Sequence, residues 1–399
     1  MSADFQASLT DFRRIFGQLA AGAAARSHSR QTPHKEIRAL GDAGFGRLRV
    51  PVEDGGFGVD LPTLFELLAE AGRADSNVPQ ILRGHFTTVE ILRHAPDLEQ
   101  RAYWLGKIAQ GALFGNAQSE PAATSPDFLP TTTLHVVDGR AVVSGVKFYS
   151  TGSLYADYIR VAAADDSVDN TTTFAIVPAR HPGVTHADDW DGIGQRLTGS
   201  GTTHFDAVPV ADNGNLGRSK KNLRSIQSFV QLVHLANLTG IARNIVDDAV
   251  TLVHSRPRTN LHALAERASE DAEVLAVIGH LYRHAQTADA LLARVADGLE
   301  RANTLADAGL DAEEAYARTF VDVSAAQVSI IEAVLDAGAQ IFNAGGASAI
   351  REVTGLDRHW RNARTLASHN PVIYKPRVIG DFVVNGTTAK SFYDRRRAA

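Results

Sequence analysis

The chain is expected to be an α+β protein of three parts: an N-terminal helical domain, a middle antiparallel β-domain and a C-terminal four-helix bundle. Three observations predict that order. Apolar residues recur at helical spacing from Leu9 to about residue 111, short β-rich runs then continue to about residue 210, and a period near 3.6 returns over roughly 222–254, 268–301 and 311–343. The expected domains are 1–113, 114–215 and 216–399. With 399 residues, 44% of them hydrophobic, the chain exceeds the size at which one core usually suffices.

In the first part, Leu61, Leu64, Leu67 and Leu68, and again Val89, Ile91 and Leu92, lie on helical stripes, while residues 51–58 carry turn signals. The second part holds the strand-like runs Thr131–Val137, Ala141–Val143, Tyr158–Ala162, Thr173–Val177 and Thr202–Phe205, separated by Gly, Asp and Pro clusters. Each of the three late periodic stretches is long enough to span a helix bundle.

Composition narrows the function classes. A formal net charge of −5 offers no basic field for nucleic acid or an anionic membrane, so a small-molecule ligand is expected. The absence of cysteine excludes disulfides, thiolate catalysis and iron–sulfur clusters. Met1 to Arg14 lacks the basic start and apolar run of a signal peptide, and no 18-residue apolar stretch follows, so a cytoplasmic location is expected. Glycine pairs such as Gly192/Gly194 and Gly199/Gly201 lack the third glycine of a dinucleotide fingerprint, and no phosphate-binding loop, His-Glu-x-x-His or Gly-x-Ser-x-Gly occurs. Asp188, Asp189 and Asp191 form an acidic group without further ligands in a loop pattern, so no metal is expected. Arg395-Arg396-Arg397 is expected to be a loose end.

Several segments, taken in order, carry a family resemblance. Pro51-Val52-Glu53-Asp54-Gly55-Gly56-Phe57-Gly58, the run from Ala141 to Phe148 and Tyr155-Ala156-Asp157 resemble the turn, strand and Ala-Asp step of the acyl-CoA dehydrogenase family. The closing run from Asp357 to Pro371 resembles that family's active-site loop, in which an Arg-Asp-Ala-Lys-like stretch leads to a catalytic glutamate. Here His369-Asn370 stands instead. The segments Phe114–Glu120, Lys147–Gly152, Asp188–Arg196, Thr198–Gly201 and His369-Asn370-Pro371 resemble one branch of the fold, the reduced-flavin-dependent monooxygenases of sulfur metabolism.

That resemblance implies a two-component monooxygenase that uses FMNH2 and O2 to oxygenate a small organosulfur compound (thioether, sulfoxide, sulfone or sulfinate) through a C4a-hydroperoxyflavin. A separate NAD(P)H:flavin reductase would supply the reduced flavin. By the same resemblance, His369 manages a proton near neutral pH, His85 faces the pocket and Thr151 meets the flavin edge. Asn116, Gln118, Ser119, Phe148 and Tyr149 match positions that hold the ring, and Trp190 closes the pocket. Arg256 corresponds to a phosphate-binding arginine offered by a neighbouring subunit, which implies a homotetramer. In FAD enzymes of the fold a Gln-x-x-Gly-Gly run holds the adenosine half. Here Gln340 is separated from Gly345 and Gly346 by four residues, which favours FMN over FAD. The alternatives are a flavin-dependent N-hydroxylase or aromatic hydroxylase of the same fold, or an acyl-CoA dehydrogenase with Glu314 or Glu332 as base. His234, His254, His262, His280 and His284 lie on helical stretches and are expected at the surface or satisfied in the core.

Overall fold

The computed structural model describes residues 3–120, 129–167, 172–217, 223–256 and 259–387. Five helices come first: α1 Ala3–Ser29, α2 His34–Asp42, α3 Leu61–Ala74, α4 Asn77–Arg93 and α5 Leu98–Ala109. Asp60 and Asp97 start α3 and α5 by accepting the N–H groups of Thr63 and Gln100, which would otherwise lack helical partners. The leucine stripe of α3 is buried and packs on α6 (Leu223–Ser255). As a result, Phe12, Leu64 and Leu68 share one core with Leu232, Ala236, Leu281 and Ile330, so the two helical parts are cemented together.

Charges inside this core are paired. Arg49 donates Nε–H to Glu90 at 2.7 Å, with side chains 5% and 3% exposed, and Arg26 meets Asp75 at 2.9 Å. A buried ion stays tolerable only with such a partner.

The sheet comprises β1 Phe114–Ala117, β2 Thr133–Val137, β3 Arg140–Lys147, β4 Tyr158–Asp165, β5 Thr172–Pro178, β6 Val184–His186, β7 Thr203–Pro209 and β8 Asn215–Gly217. Its order is β6-β7-β3-β2-β4-β5-β8, with β1 also on β4. The expected antiparallel domain therefore proves mixed. β1 runs parallel to the first half of β4, from Phe114↔Tyr158 to Ala117↔Val161, and β2 takes over the same edge in parallel at Thr133↔Ala164. β8 pairs with β5 through Phe174↔Gly217, so the sheet crosses the boundary expected at 215/216.

The three long periodic stretches are α6, α7 Ala272–Asp307 and α8 Glu313–Gln340, followed by α9 Asp357–Ser368 and α10 Lys375–Asn385. The closing basic segment is thus mostly a helix, α9, and His369 caps its C-terminal end. Among the described residues no helix is long and apolar enough to cross a membrane. Residues 121–128 and the Arg395–Arg397 run lie outside the described residues.

Candidate active site

A cavity of about 780 Å³ opens between α4, the sheet, the start of α6 and the end of α9. Its size falls in the range of small-molecule sites. Helix α4 contributes Gln80, Arg83, Gly84, Thr87 and Ile91, an i, i+3, i+4, i+7, i+11 stripe that follows from helical periodicity. The sheet adds Asn116, Arg160 and Phe174, and α6 adds Ile226, Gln227 and Val230. The end of α9 brings Arg364, Leu366 and His369 to the same space.

Of the residues singled out from the sequence, Asn116, Gln118, Ser119, Tyr149, Thr151, Trp190 and His369 all line this cavity. Two lining residues, Tyr149 and Gln195, hold left-handed backbone at φ 57° and 53°, a conformation costly for non-glycine residues and concentrated at functional sites. Trp190 donates Nε1–H to the Gln195 carbonyl at 3.0 Å, and its ring packs so closely on Gly192 that a Cβ there would lie 2.1 Å from it. Glycine at 192 is thus a condition for the position of the Trp190 ring.

A chain of hydroxyls ends at Thr151. Thr198 donates to the Gln195 carbonyl at 2.9 Å, which uses its only proton, so Ser200, 2.7 Å away, donates to Thr198. Thr151, 2.8 Å from Ser200, then donates in turn. Its lone pairs are left to accept an N–H from whatever occupies the cavity.

His369 lines the cavity at the end of α9 and keeps part of its surface exposed. Burial, with a further push from the nearby Arg83 guanidinium, lowers its pKa to about 3. That leaves the ring a neutral imidazole at neutral pH. A neutral ring can still give up an N–H while accepting at its other nitrogen. Its neighbour His234, with ring centroids 4.4 Å apart, is 2% exposed and neither of its nitrogens has a hydrogen-bond partner. The expectation of a satisfied or surface His234 therefore fails, and burial holds it well below the usual histidine pKa.

His85 lies outside the cavity lining. Its Nε2 donates to the Gly46 carbonyl at 2.8 Å and its Nδ1 accepts the Phe114 N–H at 3.2 Å, so both nitrogens tie α4 to the neighbouring backbone. The reason is angular: Gly84 and Thr87 lie on the cavity stripe of α4, and His85 lies about 100° round the helix from Gly84. Phe148 is absent from the lining and packs tilted against Tyr149, with ring centroids 4.4 Å apart. Arg256 donates to the Ala344 carbonyl at 2.8 Å, next to Gly345 and Gly346, and none of these three lines the cavity of its own chain.

The sequence reading missed Arg83, Arg160, Gln195 and Ser200 at the site. Arg83 and Arg160 had a usable signal, a lone arginine inside the apolar runs Ile81-Leu82-Arg83 and Tyr158-Ile159-Arg160-Val161. Among the described residues no group of three or more His, Cys, Asp or Glu could hold a metal ion.

Residues 4–112, 115–208 and 232–373 match the N-terminal, middle and C-terminal domain models of the acyl-CoA dehydrogenases. The probable FMNH2-dependent monooxygenase SfnC of Pseudomonas putida is 29% identical over 96% of both chains. The dibenzothiophene monooxygenase of Rhodococcus qingshengii is 31% identical, covering 92% of this chain and 90% of its own. FMN-bound TdsC from Paenibacillus sp. A11-2 superposes with a TM-score of 0.86 at 28% identity, covering 96% of this chain and 98% of its own. The methanesulfinate monooxygenase MsuC of Pseudomonas fluorescens does so at 0.85 and 26%, covering 97% and 98%.

Proposed function

We infer that this chain, which belongs to the acyl-CoA dehydrogenase family, is a reduced-FMN-dependent monooxygenase that oxygenates a small organosulfur compound. One observation carries the reading: the described residues that line the cavity include no carboxylate, and His369 ends the helix where the family's dehydrogenases keep a base. Dehydrogenation of an acyl thioester needs a group to take the α-proton. Glu314 and Glu332, the alternatives on α8, do not line the cavity. The substrates named for the relatives, dibenzothiophene and methanesulfinate, support sulfur as the oxygenated atom over nitrogen or aromatic carbon.

Reduced FMN, when bound, supplies the electrons that activate dioxygen. The residues present fit that group. Tyr149 and Trp190, 5.8 Å apart and edge-on, give an aromatic wall, and the Thr151 lone pair suits a ring N–H. Two buried amide oxygens, Gln80 Oε1 and Gln195 Oε1, lack partners and await donors. Asn116, Gln118 and Ser119 would hold the polar edge. Ile91, Leu92, Phe174 and Val230 keep water from the reacting atoms. His369 moves a proton at its ring nitrogens without bringing a fixed charge into the site.

Arg256, with Gly345 and Gly346 beside it, is assigned to the flavin phosphate of a neighbouring subunit, which makes a homotetramer part of the proposal. Without a dinucleotide fingerprint, the reduced flavin comes from a separate reductase. The substitution His369→Ala tests the reading. With reduced FMN, dioxygen and a sulfur substrate, it is expected to divert at least about tenfold more of the oxygen to hydrogen peroxide, in line with the usual contribution of a proton-transfer group. Unchanged coupling would remove His369 from the chemistry.

A further inference from the structure

The cavity carries positive charge with nothing to balance it. Arg160 sits on β4, 3% exposed, beside Asn116 of β1 in the strand register. Its guanidinium stacks over Phe174 at 4.5 Å, and its Nε has no hydrogen-bond partner. Arg83 projects from the α4 stripe, and its Nε is also buried and unpartnered. Among the described residues neither arginine has an ion pair or a side-chain hydrogen bond, and no aspartate or glutamate lines the cavity.

The two cations feel each other. Burial lowers both to about 10, and for Arg160 the second cause is Arg83. Both remain charged at neutral pH. Arg83 also acts on His369 and His234, so the charge reaches the catalytic end of the cavity. A buried guanidinium beside a second, partly buried one is unfavourable while no counter-ion is present. That cost is relieved when an anion enters, because guanidinium pairs with oxyanions through short, charge-assisted and often bidentate hydrogen bonds.

We propose that Arg83 and Arg160 form an oxyanion subsite, so that the sulfur compound oxygenated here is an organic anion, with a sulfinate, sulfonate or carboxylate group, rather than a neutral aromatic sulfide. This rests on the monooxygenase reading of the same cavity and narrows its substrate class. The anionic group lies between the two guanidinium groups, and the apolar part lies along Ile91, Phe174 and Val230. The lack of any cavity carboxylate is then a selection device: it leaves the charge for the substrate to neutralise.

The test uses the whole protein, both FMN-free and FMN-saturated, titrated calorimetrically with sodium methanesulfinate and with dimethyl sulfone, its uncharged near-isostere. Methanesulfonate and acetate arms identify which oxyanion fits best. At least one anion is expected to bind about 10- to 100-fold more tightly than dimethyl sulfone in both protein states, as for hydrogen bonds to charged groups. Arg160→Met and Arg83→Met should each remove that preference while leaving FMN affinity unchanged, and Arg160→Lys should restore part of it. Equal binding of the neutral and anionic compounds would overturn the proposal. So would loss of anion binding once FMN is added, which would hand the two arginines to the flavin phosphate. Anion binding without oxygen transfer would uphold the subsite and sink the monooxygenase reading. Coupled oxygenation of neutral sulfides with no anion binding would do the reverse.

Discussion

The molecule buries arginines in two places and treats them oppositely. In the helical core, Arg49 is clamped by Glu90 at 2.7 Å and Arg26 by Asp75 at 2.9 Å, and Arg49 also donates to the Val59 carbonyl. In the cavity, Arg160 is as deeply enclosed and Arg83 is partly buried, and among the described residues neither has a carboxylate partner. The core pairs hold α4 and its neighbours in place, whereas the Nε of each cavity arginine has no partner. A buried charge left unpaired marks where a ligand completes the structure.

The largest effect should come from breaking a core pair. Glu90→Ala strands Arg49 and is expected to destabilise the protein by about 3–5 kcal/mol in urea unfolding. Next in size, Arg160→Met should be neutral or stabilising, by about 1–3 kcal/mol, because it removes an uncompensated ion. A large loss of stability in that variant would erase the contrast between the two regions.

Acid should reveal a buried imidazole. Burial pushes His85, fully enclosed on α4, down to about 4, below the ordinary histidine value of 6.5. The unfolded chain therefore takes protons first as pH falls. The His85 contribution is complete above about pH 6.5 and is lost progressively toward pH 4, at up to about 1.4 kcal/mol per pH unit. His85 is buried as the neutral imidazole, so His85→Gln should reduce the slope between about pH 6.5 and 4. A slope unchanged in that variant would contradict the neutral assignment. The smallest effect is expected at the hydroxyl chain: Thr151→Val should weaken FMN binding about fivefold, the worth of one neutral hydrogen bond, read by flavin fluorescence.

Much of this was legible in the sequence, for physical reasons. The long helices α7 and α8 reveal themselves because each buries one face, α6 because its long apolar run is buried on all sides over residues 232–242, and β4 and β5 because β-branched or apolar runs end in turns. β1 and β8 escaped notice, since a four-residue strand buried throughout and a three-residue edge strand carry no alternation. His369 was found from what it replaced. His85 was placed in the pocket because adjacency along the chain does not say which way a helix turns, and a step of about 100° took its ring to Gly46. The arginine pair was hidden for a different reason: α4 and β4 are far apart in sequence, and only the packing of helix on sheet brings their charges together.

The central claim is that a dehydrogenase scaffold without its carboxylate transfers oxygen. It is tested most directly by a single turnover with ¹⁸O₂, reduced FMN and methanesulfinate or a sulfide panel, followed by mass spectrometry. The account predicts one labelled oxygen atom in each product molecule. Unlabelled substrate recovered beside a full yield of hydrogen peroxide would contradict it.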